Sequence, residues 1–234
     1  MGAIFFIGII IVIILAYIVE TNNVSNDKSN VVAKVNKVDP VVPQRFLFFD
    51  TETTGLPRNR NAPSWSSSNW PHLVQLSWMI TNETGDEIKK TTYIIKPVGY
   101  KIPKKASDLH GITMEIALNR GVELSYVLRR FRSDFNGVNV VVGHNVNFDL
   151  NVVEAEMYRE SMGHLVYKPT YCTMELGTPV CRIPKARGEY KWPSLQELYC
   201  HLFGKPYQHA HDAGSDVMAT KDCFFEMKRR GYVR

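Results

Sequence analysis

The sequence predicts an α/β fold built on one sheet with mixed strand directions. Two short runs, Arg45–Asp50 (RFLFFD) and Val138–Gly143 (VNVVVG), are apolar nearly throughout, as strands buried on both faces are. Two further strand-like runs follow the first of them directly. Beyond these, apolar residues recur at helical spacing. Early strands followed by alternating helices and strands are the pattern of an α/β domain with both strand directions.

Taken in order, Arg45–Asp50 opens the folded part. Asn59–Asn69 (NRNAPSWSSSN) is a polar insertion, expected as a surface loop. Leu73–Ile80 and Thr91–Lys96 read as strands, with a turn signal at Glu83–Asp86 between them. Leu124, Val127, Leu128, Phe131 and Phe135 mark a helix, and Leu150, Val153 and Met157 mark another on the far side of Val138–Gly143. Ser194 and Glu197 have capping-box spacing and open a helix with Leu195, Leu198 and Leu202 inward. Ala213, Val217, Thr220, Phe224 and Met227 form one stripe of a last helix.

Ahead of the sheet, Gly2–Val19 contains no charged residue. As a helix it would reach about 27 Å, close to the ~30 Å hydrocarbon core of a bilayer. It would be apolar on every face, which a helix at the surface of a soluble core is not. A cleaved signal peptide needs a basic start and a small-residue cleavage site. Neither stands here, so an uncleaved single-pass anchor is the expectation, with the signal peptide as the alternative. Lys28, Lys34, Lys37 and Arg45 follow the run, which puts the downstream side in the cytoplasm. The expected organisation is a transmembrane anchor at 1–20, a polar tether at 21–44 and one folded domain at 45–234.

Composition narrows the class. With 44% hydrophobic and 22% charged residues, the chain is globular rather than disordered. A formal net charge of +5 suits a polyanionic partner without selecting one. Cys172, Cys181, Cys200 and Cys223 form no C-x-x-C pair and no zinc-finger set, and are read as reduced, partly buried thiols, with two disulfides as the alternative.

The acids carry the chemistry. Asp50 and Glu52 in DTETTGLP end the first buried run. Residues two apart on a strand point to one face, so both carboxylates would project together. Two like charges side by side are costly without a cation; alternatively the strand stops at Phe49 and the acids begin a solvated turn. Asp149 in GHNVNFD follows the other buried run and opens a helix, where it could instead satisfy backbone donors. In HAHDAGSDVMAT, His211 is placed just before the last helix and Asp216 in its first turns, with Asp212 as the competing acid or the helix N-cap. Sites in open α/β sheets gather at the carboxyl ends of strands. Hard oxygen donors there suit Mg²⁺ or Mn²⁺ rather than zinc.

Asp50-Thr51-Glu52-Thr53-Thr54-Gly55, His144-Asn145…Phe148-Asp149 and His211…Ala213…Asp216 together resemble the three motifs of the DnaQ-like 3′–5′ exonucleases, DEDDh subgroup. Ile102–Thr113 (IPKKASDLHGIT) is similar to a segment that the family carries between the first two motifs. The resemblance spans about residues 45–230 in order. It implies a ribonuclease H-like, five-stranded mixed sheet flanked by helices. It implies that Asp50, Glu52, Asp149 and Asp216 bind two divalent ions, Mg²⁺ or Mn²⁺, that His211 is the general base, that Thr53 and Leu56 touch the terminal nucleotide, and that His110, Asn145 and Phe148 line its path.

For Leu56 and Phe148 an ordinary core role is the alternative, for His110 a helix C-cap before Gly111, and His144 is read as fixing the turn before Asn145. Gln75 is given no role. Lys101, Lys104, Lys105, Arg129, Arg130 and Arg132 are candidate strand contacts or simply solvated faces. The implied activity is hydrolysis of phosphodiester bonds at the 3′ end of single-stranded or 3′-ended DNA or RNA, releasing nucleoside 5′-monophosphates. The competing reading is a non-catalytic, membrane-tethered nucleic-acid-binding module on the same fold.

Overall fold

The computed structural model describes residues 43–233. The expected anchor at 1–20 and nearly all of the expected tether at 21–44 lie outside the described residues. Among the described residues, no helix is long and apolar enough to cross a membrane.

Five strands form one sheet: β1 (Phe46–Thr53), β2 (Leu73–Thr81), β3 (Glu87–Ile94), β4 (Val140–Gly143) and β5 (Thr170–Cys172). Their order is β3-β2-β1-β4-β5. The hairpins β1–β2 and β2–β3 are antiparallel, whereas β4 and β5 add in parallel to β1. β1 is therefore central. It runs on through Asp50 and Glu52 instead of stopping at Phe49, which removes the solvated-turn alternative.

Seven α-helices are present among the described residues: α1 (Lys104–His110), α2 (Met114–Arg120), α3 (Leu124–Asn136), α4 (Val146–Arg159), α5 (Thr173–Cys181), α6 (Leu195–Phe203) and α7 (Ala213–Arg229). Alternation along β1 divides the core in two. Leu47 and Phe49 pack against Val127, Leu128 and Phe131 of α3 and Val152, Val153 and Met157 of α4. Phe46 and Phe48 face the other way, onto Leu195, Leu198 and Leu202 of α6 and Val217, Phe224 and Met227 of α7. A third, smaller cluster joins Val74 of β2 to Ile102, Ala106, Ile112 and Ala117, seating α1 and α2 at the end of the sheet.

Several boundaries differ from the sequence expectation. β3 begins at Glu87, not Thr91, because Asn82 folds the turn by accepting from the Thr84 and Asp86 amides and the ladder restarts at once. Apart from the exposed Ile88, its first residues are charged and lie on an edge strand, so no apolar pattern marks them. Ile95, just past β3, still donates its amide to the Val74 carbonyl at 2.8 Å and also bridges Val122. On α4 the buried side is Val146, Asp149, Val152, Val153 and Glu156, while Leu150 sits at the margin. The four cysteines are free thiols, Cys172 and Cys223 buried.

The insertion at 59–69 is a fastened loop rather than a loose one, and it includes a 3₁₀ turn at Ser67–Asn69. Arg159 of α4 donates to the carbonyls of Ser67, Trp70 (2.6 Å) and Pro71 (3.4 Å). The same guanidinium pairs with the buried Glu156 at 2.9 Å. Glu156 also accepts from the Leu73 amide (2.8 Å), tying the start of β2 to α4. Removing the cation would leave that buried carboxylate with only the His72 ring (3.2 Å) and the Leu73 amide as partners, a loss on the order of 3 kcal/mol. Arg159→Met is therefore expected to lower the unfolding free energy by about 3 kcal/mol in urea melts at pH 7. A change below about 0.5 kcal/mol would show that the loop and the ion pair do not support the fold.

Candidate active site

The carboxyl end of β1 delivers the first two acids. Asp50 and Glu52 share the face turned toward α7, and Thr51 between them points toward α4. Asp149 stands in the first turn of α4. Its Oδ1 accepts from the Thr51 amide (3.1 Å) and hydroxyl (2.6 Å), so it is held against β1. Asp216 stands in the first turn of α7. Its Oδ1 accepts from the Tyr207 hydroxyl (2.7 Å) and its Oδ2 from the His211 amide (3.2 Å).

His211 precedes α7 with a left-handed backbone, φ 68°, and an exposed side chain. Asp212 is the N-cap, accepting from the Ser215 amide at 3.0 Å. One ligand atom each from Glu52, His211 and Asp216 lie within 4.8 Å of one another. The described structure thus brings residues from β1, α4 and α7 to one end of the sheet.

Electrostatics record that proximity. Desolvation by burial, then Asp149, Asp216, Glu52 and Asp212 in turn, push the Asp50 carboxyl well above the usual range. Glu52 is pushed up to about 8 by burial first, then by Asp216, Asp149 and Asp212. Asp149 is raised to about 7 by burial, against the pull of its Thr51 hydrogen bonds. Asp216 is raised as well, again chiefly by burial, although Tyr207 and the His211 amide stabilise its charged form. Among the described residues, none of these four acids is paired with a lysine or arginine.

The other expected contacts scatter around this centre. Leu56 is 71% exposed and so is not core. Thr53 closes a turn through its hydroxyl, which donates to the Gly55 carbonyl at 2.7 Å. Phe148 is half-buried against Trp70, ring centroids 6.3 Å apart. Asn145 is exposed, with a left-handed backbone at φ 72°. His110 ends α1 before Gly111 as the cap pattern requires, its Nδ1 accepting from the Ile112 amide at 3.1 Å, and its buried ring lies near the Thr53 backbone and His211.

His144 bonds the Thr173 hydroxyl (3.0 Å) and the Pro193 carbonyl (3.1 Å), and burial lowers it to about 4. It is a neutral strut joining the start of α4 to α5 and the approach to α6. Of the basic candidates, Lys104 is paired with Asp108 and Arg132 donates to the Met162 carbonyl at 2.7 Å.

Sequence reasoning missed three supporting side chains: Thr51, Tyr207 and Gln75. Only Thr51 carried a signal, since alternation places it opposite its two acidic neighbours.

A mixed five-stranded sheet in the order β3-β2-β1-β4-β5, flanked by helices, matches the ribonuclease H-like α/β fold. A family model described as Exonuclease (RNase_T) matches residues 47–224. The DNA polymerase III PolC-type protein of Streptococcus suis is 29% identical over 192 residues, covering 81% of this chain and 12% of that protein. The DNA polymerase III subunit epsilon of Aquifex aeolicus is 26% identical over 189 residues, covering 81% of this chain and 83% of that one. Among solved structures, Escherichia coli exonuclease I in complex with a dT13 oligonucleotide superposes with a TM-score of 0.63 at 23% identity, over 80% of this chain and 41% of that one. The chain thus spans about an eighth of the PolC-type protein's length and about two fifths of exonuclease I's. It belongs to the DnaQ-like 3′–5′ exonuclease family.

The raised carboxyls set a pH dependence. Between about pH 4.5 and 8 the folded state holds protons that the unfolded chain has released, so metal-free stability falls as pH rises through that window. In chelator, Glu52→Gln is expected to flatten this fall and to raise the melting temperature at pH 8 by about 2–4 °C. Thermal melts from pH 5 to pH 8 check it; a variant less stable than the parent at pH 8 would mean the carboxylates do not repel as described.

Proposed function

We propose that this domain is a metal-dependent enzyme that cleaves the last phosphodiester bond at the 3′ end of DNA or RNA and releases nucleoside 5′-monophosphates. The observation that carries the reading is the meeting of four acids and His211 at one end of the sheet, with no lysine or arginine paired to the acids among the described residues. Such a cluster fits a hard divalent cation: it offers carboxylate oxygens with one imidazole nitrogen, which suits Mg²⁺ or Mn²⁺. Asp50, Glu52, Asp149 and Asp216 would hold two such ions. Bound there, the ions supply charge stabilisation on the phosphate and make a water acidic enough to attack at neutral pH.

The protein's own groups do the rest. His211, exposed beside Glu52 and Asp216, presents an imidazole nitrogen that takes the proton from the attacking water. The new P–O bond forms as the bond to the 3′ oxygen breaks, and that oxygen leaves with a proton from solvent. Tyr207 and Thr51 hold Asp216 and Asp149 in place while this happens. Leu56 and Phe148 offer apolar surface to the terminal nucleotide, and Thr53, His110 and Asn145 offer polar atoms around it. The relatives support single-stranded or 3′-ended nucleic acid as substrate, since exonuclease I was crystallised with dT13 and an epsilon subunit belongs to a DNA polymerase. The uncharged run Gly2–Val19 further supports attachment to a membrane, with the catalytic domain on the cytoplasmic side.

The test is incubation of the 234-residue chain with single-stranded DNA and RNA, labelled at the 3′ or the 5′ end, in Mg²⁺, Mn²⁺ or chelator. A 3′ label is expected to appear at once as mononucleotide, while a 5′ label marks a shortening ladder, and chelator stops both. Asp50→Asn and Asp216→Asn should each lower the rate at least about a thousandfold with an unchanged circular dichroism spectrum. Full activity in both variants, or binding without turnover in the parent, would refute the proposal.

A further inference from the structure

We propose that Gln75 is a positioning residue for the ion-binding end of α7, acting through a two-bond clasp that only an amide can make at this place. The inference rests on the metal-dependent reading above. Gln75 pairs with Glu52 in the β1–β2 register, and cross-strand partners project to the same face. Gln75 is buried there, beside Glu52 and beneath the first turn of α7. Its Oε1 accepts from the Ala213 amide at 2.9 Å. Its Nε2 donates to Asp212 Oδ2 at 3.2 Å.

Asp212 divides its two oxygens between partners: Oδ2 takes the strand, and Oδ1 takes the Ser215 amide and hydroxyl of the helix. The helix cap and the strand are thus joined through one side chain. Gly214 completes the seat, because a Cβ there would lie 3.2 Å from both Asp212 Oδ1 and Thr92 Oγ1.

The clasp lies between the residues it serves. His211 immediately precedes Asp212, Asp216 follows four residues later, and both form the tight group with Glu52, the cross-strand neighbour of Gln75. Gln75 therefore fixes how far the helix-borne donors stand from the strand-borne one. An amide donates and accepts at once, whereas a carboxylate only accepts and a leucine does neither. A glutamate at 75 would still accept from Ala213, but it would meet Asp212 as a like charge and crowd Glu52. The exchanged pair Q75E/D212N returns a donor opposite an acceptor, with total charge unchanged and the Ser215 cap retained.

The test is Mn²⁺ binding by calorimetry on the full chain, alongside kcat and KM on a single-stranded oligonucleotide, for the parent, Q75L, Q75E and Q75E/D212N. Each single variant is expected to weaken Mn²⁺ about tenfold or more, as loss of a support behind metal ligands does. Their kcat should fall with KM nearly unchanged, and the exchanged pair should regain most of the lost Mn²⁺ affinity. Parent-like Mn²⁺ affinity in both single variants overturns the role, as does an exchanged pair no better than Q75E. If Q75L fails to fold, Q75E and the exchanged pair decide alone. A parent chain that binds no Mn²⁺ would remove the metal reading itself, and this role with it.

Discussion

Asp50, Glu52, Asp149 and Asp216 lie close enough that each reaches into the electrostatics of at least one other, and burial compounds the effect. Charges of one sign in a low-dielectric setting repel more strongly than they would in water. Left alone, the site relieves that repulsion by keeping protons. Divalent cations of the kind proposed would relieve it differently, by attraction, and would turn an unfavourable cluster into a stable one.

The arrangement of the acids is a matter of layers. β1 is central in the sheet and nearly fully buried, so it has little freedom to move its last residues. α4 packs on one of its faces and α7 on the other, each with its acid in the first turn. Polar bonds then fix what packing alone would leave loose: Thr51 holds Asp149, Tyr207 holds Asp216, and Gln75 holds the cap of α7. The supporting atoms are neutral, so they orient the carboxylates without cancelling the charge that a cation would seek.

Much of this was legible in the sequence, and the parts that were not share a cause. The Asp50–Glu52 face follows from a two-residue period, and α7 follows from its apolar stripe and the Asp212 cap; both are local signals. The bond from Thr51 to Asp149 spans 98 residues and that from Gln75 to Ala213 spans 138, and no local pattern encodes either. β5 is three residues at the sheet edge, and α1 and α2 have seven residues each, too short for a periodic stripe. Leu56 illustrates a different limit. Its residue type favours burial, yet it follows Gly55 after the end of β1, where the chain turns out to solvent.

The central claim is that these acids hold protons when alone and exchange them for a cation. Calorimetric titration of Mn²⁺ into the chain at pH 7, repeated in buffers of different ionisation enthalpy, counts the protons released per ion bound. Glu52 and Asp149, raised to about 8 and about 7, should give net proton release at pH 7 that vanishes near pH 9.5. Mn²⁺ binding with the same enthalpy in every buffer at pH 7, and with pH-independent affinity, would contradict the account.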